Sequence, residues 1–188
     1  MGELHPYRDG EDAEQEQWRL KCVTRFCAPA VHTEEEKGRI RGWVSALRSG
    51  DYEQGRNNLR RGDKFCCLGV ACEVAMIKGM GLSRRRTVCS DWYYGQDQGG
   101  SATVLPDVAR DWFGFSRSDV YLVVPRVVAQ QIATRQQEEI CDCFVDNWRA
   151  HVRYTAVMLN DSFHLNLAEI ADCVEFTYLP EDWHAARG

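Results

Sequence analysis

Apolar residues recur with helical spacing in several stretches of the chain. Ile40, Trp43, Val44 and Leu47 stand at i, i+3, i+4 and i+7, the stripe of an amphipathic helix. Thr33 with Glu36 three positions on predicts a capping box opening that helix, which runs to about Ser49 with Gly50 as its C-terminal glycine. Upstream, Trp18, Cys22 and Phe26 predict a helix over 11–27, ended by Pro29. Residues 52–66 are polar and punctuated by glycine, and predict two short strands or an ordered loop, with Arg61-Gly62-Asp63 as a turn. From Cys67 to Ile77 the chain is apolar on nearly every side, which predicts a central, buried helix closed by Gly79 and Gly81.

Downstream, residues 83–104 read as a loop with at most a short strand, carrying Arg84-Arg85-Arg86 and Trp92-Tyr93-Tyr94. Pro106 suits the first position of a helix through Val108, Ala109, Trp112 and Phe113. Val120–Val124 reads as a strand stopped by Pro125, and 126–158 as mostly helical in two pieces. Asn166 with Glu169 caps a last helix burying Leu167, Ile170, Ala171 and Val174, with Leu165 stapled onto Ile170. The expected fold is α+β: a mainly helical single domain over 34–188, with a small antiparallel sheet or hairpin around the buried helix. Residues 1–33 are expected to form an acidic helical extension.

Charge changes this picture by its distribution. The 188 residues carry 23 Lys+Arg and 28 Asp+Glu, a net −5, yet residues 1–38 balance at −4, 39–86 at +7 and 87–188 at −8. A basic middle attracts an anion or neutralises its own flanks. A pI near 5.6 argues against a dedicated duplex-DNA binder. Leu167-Ala168-Glu169-Ile170-Ala171-Asp172 resembles the first half of a helix-turn-helix, but only residues 176–188 follow, with Pro180. The acidic start does not look like a signal peptide, and charges interrupt every apolar run short of a membrane span. A soluble, cytoplasmic protein is expected, without membrane partners.

Nine cysteines would suit a disulfide framework, but the number is odd and a chain of this length does not need such staples. Cys66 and Cys67 are adjacent, so they bridge only in a strained ring, and reduced, buried thiols are expected. Cys22-x4-Cys27 and Cys141-x-Cys143 do not complete a zinc set, so no metal and no cofactor is expected.

Two groupings carry candidate chemistry. Cys66 and Cys67 fall where a loop or strand meets a helix, whose N-terminal partial charge stabilises a thiolate. His151 or His164 would then serve as base and Asn160 or Asp161 as its orienting group; the plain alternative is two small side chains packed under a helix. The second grouping is basic and aromatic. Arg56, Arg60, Arg61 and Lys64 with Asn57 and Asn58 precede the buried helix, and Arg84, Arg85 and Arg86 follow it. Guanidinium forks suit phosphates, aromatic faces suit a base, and amides or carboxylates suit ribose hydroxyls. Trp92, Tyr93 and Tyr94, with Asn160 and Asp161, supply the last two; the plain alternative is a solvated arginine surface. No Gly-rich phosphate motif ending in Lys-Ser/Thr is present.

The run Trp43-x-x-Ala46-Leu47-Arg48-Ser49-Gly50-x-Tyr52-x-Gln54-Gly55, then Leu59, then Phe65-Cys66-Cys67-Leu68-Gly69-Val70-x-Cys72, resembles a family of small proteins of bacteriophages and of bacteria carrying prophage-like genes. Leu105-Pro106 before Trp112, and Leu159-Asn160-Asp161 before Leu167-x-x-Ile170-Ala171-Asp172, are similar to its C-terminal motif. The resemblance covers about half of the chain, implies a phage-type accessory protein acting in the host cytoplasm, and supplies no mechanism. The leading expectation is a binder of an anionic, nucleotide-derived small molecule, for example one sequestering a host defence signal. Its site would use Tyr52, Gln54, Arg56, Arg60, Trp92, Tyr93, Asn160 and Asp161. A cysteine-dependent hydrolase or transferase using Cys66 or Cys67 with His164 and Asp161 is the second expectation. The third is a protein-contact role in a homo-oligomer or with a host or phage partner.

Overall fold

The computed structural model describes residues 32–87, 91–96, 100–125, 127–129, 131 and 154–186. Its elements run α1 (Glu34–Arg48), β1 (Glu53–Gln54), β2 (Arg60–Arg61), β3 (Lys64–Phe65), α2 (Cys67–Ile77), β4 (Ser83–Arg86), β5 (Trp92–Gly95), α3 (Asp107–Phe113), β6 (Tyr121–Leu122), β7 (Tyr154–Thr155), α4 (Ala156–Asp161), α5 (Leu167–Tyr178) and α6 (Pro180–Ala185). This is an α+β fold with small sheets, as expected. The helix expected over 11–27 lies outside the described residues.

The caps form as the sequence predicts. Thr33 Oγ1 accepts from the Glu36 amide at 3.2 Å while the Glu36 carboxylate accepts from the Thr33 amide at 2.7 Å; Asn166 and Glu169 repeat the arrangement at α5. The stripe Ile40, Trp43, Val44 and Leu47 is buried, and α1 lies along α5 while also touching α2 and α3. Every residue of α2 from Cys67 to Ala75 is buried, making it the central helix. Trp43 donates its indole hydrogen to the Cys67 carbonyl at 3.0 Å, fixing α1 on the start of α2. At Gly69 the helix touches the chain before β2: a Cβ there would stand 1.7 Å from the Leu59 carbonyl oxygen, so only glycine fits.

The basic middle is used internally to a large extent. Arg48 of α1 reaches Asp172 at 2.6 Å and Glu175 at 2.7 Å on α5, and Arg41 reaches Asp182 of α6 at 2.6 Å. Positive charge from the middle of the chain thus neutralises negative charge from its end.

Several expectations need correcting. Residues 83–104 are not mainly a loop: β4 and β5 pair as an antiparallel hairpin, Arg84 opposite Tyr94 and Arg86 opposite Trp92, because the aromatic run supplies a good strand and the arginines keep the outer strand solvated. The sheet before α2 is not purely antiparallel, since β3 pairs parallel with β1 and antiparallel with β2. Pro106 is the cap residue of α3 rather than its first helical residue. Only Tyr121–Leu122 of the expected 120–124 strand pairs, with Tyr154–Thr155; Val123 instead donates its amide hydrogen to Thr177 Oγ1 at 2.9 Å. Within 126–158, residues 154–155 are strand, and 126, 130 and 132–153 lie outside the described residues. After α5 the chain turns into the six-residue α6, whose Trp183 is buried against Phe176, 5.3 Å between ring centres. That segment is packed into the fold and offers no recognition helix.

Candidate functional site

Glu73 is the one charged residue in the sequence of α2, and it is buried. A buried carboxylate needs partners, and the hairpin supplies them. Arg84 Nη1 donates to both carboxylate oxygens at 2.6 Å, Tyr94 Oη donates to Oε1 at 2.7 Å, and Arg60 Nη1 stands 3.6 Å from Oε1. The register explains the convergence: Arg84 and Tyr94 are cross-strand partners, so one face of the hairpin presents both to α2. Burial and the Glu73 charge push the Tyr94 hydroxyl far above the usual phenol range, so it is a permanent donor.

Trp92 sits beside this carboxylate. The Arg60 guanidinium lies 4.5 Å from the Trp92 ring centre and 4.6 Å from that of Phe65, and the Arg84 guanidinium 5.4 Å from Trp92, distances at which cation–π attraction operates. Arg60 Nε also donates to the Gly62 carbonyl at 2.8 Å. The Trp92 Nε1 and Thr87 Oγ1 atoms are buried without a hydrogen-bond partner. Tyr52 packs edge-on against Phe65 at 5.2 Å; burial, then the nearby Glu73 charge, raises its hydroxyl pKa. Arg61 and Asn58 both donate to Asp91 Oδ1 at 2.9 Å, tying β2 to the hairpin.

Strand alternation turns the next pair outward. Arg85 is exposed and its guanidinium lies 5.6 Å from the Tyr93 ring centre. All four residues of β4, Ser83-Arg84-Arg85-Arg86, are exposed. Exposed Arg56 follows β1. A nearby open cleft of about 400 Å³ at the end of β5 is lined by Gln96, Ser101, Leu105 and Asp107 among others and by no Lys or Arg. Its one carboxylate, Asp107, pairs with Arg110 at 2.6 Å.

Gln54, Asn160 and Asp161 gather elsewhere. Asn160 is fully buried, donating to the Gly55 carbonyl at 2.9 Å and to Asp161 Oδ1 at 2.6 Å. Gln54 Nε2 donates to Asn160 Oδ1 at 2.9 Å and to the Leu165 carbonyl at 2.7 Å. These amides close the seam between β1, α4 and the start of α5. The structure thus brings Tyr52, Arg60 and Trp92 together around Phe65, turns Tyr93 to the other face of the hairpin with Arg85, and places Gln54, Asn160 and Asp161 in a separate scaffold.

The thiol grouping is partly assembled. Cys66 is the cap residue of α2, and both Cys66 and Cys67 are buried. The Cys67 thiol and the first-turn amides of α2 pull the Cys66 thiol below its ordinary range, whereas burial pushes Cys67 well above it. Cys67 Sγ donates to the Ala156 carbonyl at 3.4 Å. The Asp161 charge acts on both thiols, but His164 is exposed at φ +58°, and His151 lies outside the described residues. Among the described residues no group of three or more His, Cys, Asp or Glu is placed to hold a metal ion, and no helix is long and apolar enough to cross a membrane.

Sequence reasoning missed Glu73, the centre of the arginine cluster. Its signal was available: a lone carboxylate inside an otherwise apolar helix.

No curated protein and no solved structure matches this chain. One family model does match, from Glu36 in the first turn of α1 to Tyr178 at the end of α5, and so spans α2, the hairpin and the Asn160 seam. The chain belongs to that family, described as a domain of unknown function, DUF8296.

Proposed function

We propose that the protein is a phage-type accessory protein that binds a small anion of the nucleotide class on the outer face of the β4–β5 hairpin. The observation that carries this reading is the cross-strand pairing of three consecutive exposed arginines with Trp92, Tyr93 and Tyr94. Arg85 is the phosphate-facing guanidinium and Tyr93 is the ring for the base. Arg60, Arg84, Glu73 and Trp92 form the support beneath. A surface whose arginines are held by packing loses less side-chain freedom on binding. The phage association rests on the motif resemblance alone.

Isothermal titration of the full chain with inorganic phosphate, pyrophosphate, a nucleoside monophosphate and a cyclic dinucleotide tests this. The nucleotides are expected to bind more tightly than phosphate. Arg85→Ala is expected to weaken them by about 1.5–3 kcal/mol, the range for a charged hydrogen bond, with an unchanged melting temperature. Absence of binding across the panel, or equal affinity in Arg85→Ala and Tyr93→Ala, overturns the reading.

The second reading, a thiol-dependent hydrolase or transferase, is favoured by one observation, the placement of Cys66 as the cap residue at the start of α2. It requires Cys66 to be the fastest-alkylated cysteine of the native protein near neutral pH.

A further inference from the structure

We propose that the His32 imidazole is an acid-released plug: protonation withdraws it from the cleft between Phe115 and Tyr178 and uncaps α1, while the rest of the domain stays folded. His32 stands where the chain enters α1, immediately ahead of the cap residue Thr33. Its side chain is only 4% exposed, and neither ring nitrogen has a hydrogen-bond partner. The rings of Phe115 and Tyr178 cross it nearly at right angles, 6.1 and 5.3 Å away between centres. Such a cleft suits a neutral imidazole packed as an apolar ring. An imidazolium carries two N–H donors and a charge, and finds a partner for neither hydrogen there.

The charged groups that act on the imidazole both lie on α1: Glu36, whose Oε2 is 3.8 Å from Nδ1 and favours the proton, and Lys37, which opposes it. From α5 comes the Tyr178 hydroxyl, which donates to the Tyr121 carbonyl at 3.0 Å; the chain after α3 brings Phe115, which does not titrate. Glu36 is already committed. Its Oε2 accepts from the Thr33 amide at 2.7 Å and the Thr33 hydroxyl at 3.0 Å, and its Oε1 lies over Gly114, where there is no room for a Cβ. Water offers the imidazolium both hydrogen bonds, so the charged ring leaves the cleft and takes the adjoining Thr33 backbone with it. The stripe that holds α1 to the core, Ile40, Trp43, Val44 and Leu47, begins beyond the first turn, and Arg48 ties the far end to α5. Withdrawal is therefore local. By linkage the open form gains about tenfold in population for each pH unit below the ordinary imidazole value of about 6.5.

Native-state hydrogen exchange of the full chain, corrected for the intrinsic pH dependence of amide exchange, tests this. The reporters are the Glu36 and Lys37 amides, which bond Thr33 Oγ1 at 3.2 Å and the Thr33 carbonyl at 2.9 Å. Their protection is expected to fall at least about tenfold between about pH 7.5 and about pH 5. Local opening exposes little surface, so at the lower pH their exchange is expected to be unmoved by about 1 M urea, which speeds globally exchanging α2 amides about fivefold. His32→Phe, and His32→Leu as a smaller apolar plug, fill the cleft without titrating and are expected to make the reporters' protection independent of pH. Protection that does not fall in the native chain overturns the proposal. So does a urea response equal to that of α2, which marks global unfolding, or a fall that persists in either variant, which assigns the proton to another group. None of these readouts involves an anion, so the plug and the proposed function fail separately.

Discussion

Arg84 reaches Glu73 through a single nitrogen, Nη1, 2.6 Å from each carboxylate oxygen, while Tyr94 hydrogen-bonds one of those oxygens from the neighbouring strand. This contact joins the hairpin to the central helix. A buried carboxylate is costly unless paired, so hairpin and α2 form together or leave Glu73 unsatisfied.

Glu73→Ala therefore strands Arg84 and the Tyr94 hydroxyl, and is expected to cost about 3 kcal/mol, the lower end for breaking a buried pair. Tyr94→Phe is expected to cost about 1.5 kcal/mol for a hydrogen bond to a charged group. Urea unfolding of both single variants and the double variant checks this. A coupling energy near zero would show that the two residues do not act as a unit.

Two glycines are expected to respond with opposite signs. A Cβ at Gly69 would overlap the Leu59 carbonyl, so Gly69→Ala is expected to destabilise by about 3 kcal/mol or more through forced backbone movement. A Cβ at Gly42 would meet only Val74 Cγ1 at 3.7 Å, an ordinary contact. Inside α1, Gly42→Ala is expected to gain about 0.5–1 kcal/mol from helix propensity. Thermal melts of the two variants decide the matter.

Acid stability is expected to fall in two stages. His32 is buried between Phe115 and Tyr178 with neither ring nitrogen hydrogen-bonded, and burial lowers its pKa despite Glu36 at 3.8 Å; Lys37 adds to the lowering. The unfolded chain takes up the proton near pH 6.5 and the folded one only below that, so stability falls as pH drops below about 6.5. Glu36 and Asp182 have lowered pKa values, from the Thr33 amide and from Arg41 respectively. Their contribution is present above the ordinary carboxylate range of about 4 and is lost as pH falls from there through their lowered values. His32→Phe is expected to abolish the first stage and spare the second. An unchanged profile of urea midpoint against pH in that variant would refute the assignment.

The Asn160 seam is expected to be structural. Asn160→Ala removes the hydrogen bonds to Gly55, Asp161 and Gln54 and is expected to cost about 2–3 kcal/mol, because Gln54 and the Gly55 carbonyl lose their buried partner. If nucleotide affinity fell while the melting temperature held, Asn160 would belong to the binding surface instead.

Local rules made much of the scaffold legible. The capping boxes at Thr33 and Asn166, the buried stripe of α1 and the all-round burial of α2 depend on residues within a turn or two of each other, and periodicity reports them directly. The chain also announced its uneven charge and its arginine and aromatic runs. Tertiary structure alone decided what those runs do. The β4–β5 register sets Arg84 beside Tyr94 and turns Arg85 outward onto Tyr93. The fold of α2 then carries Glu73 beneath them, and closure of β1 on α4 commits Gln54 and Asn160 to each other. Such pairings join residues from eight to more than a hundred positions apart. Their energies depend on burial and on which opposite charge arrives, quantities that no local window of sequence contains.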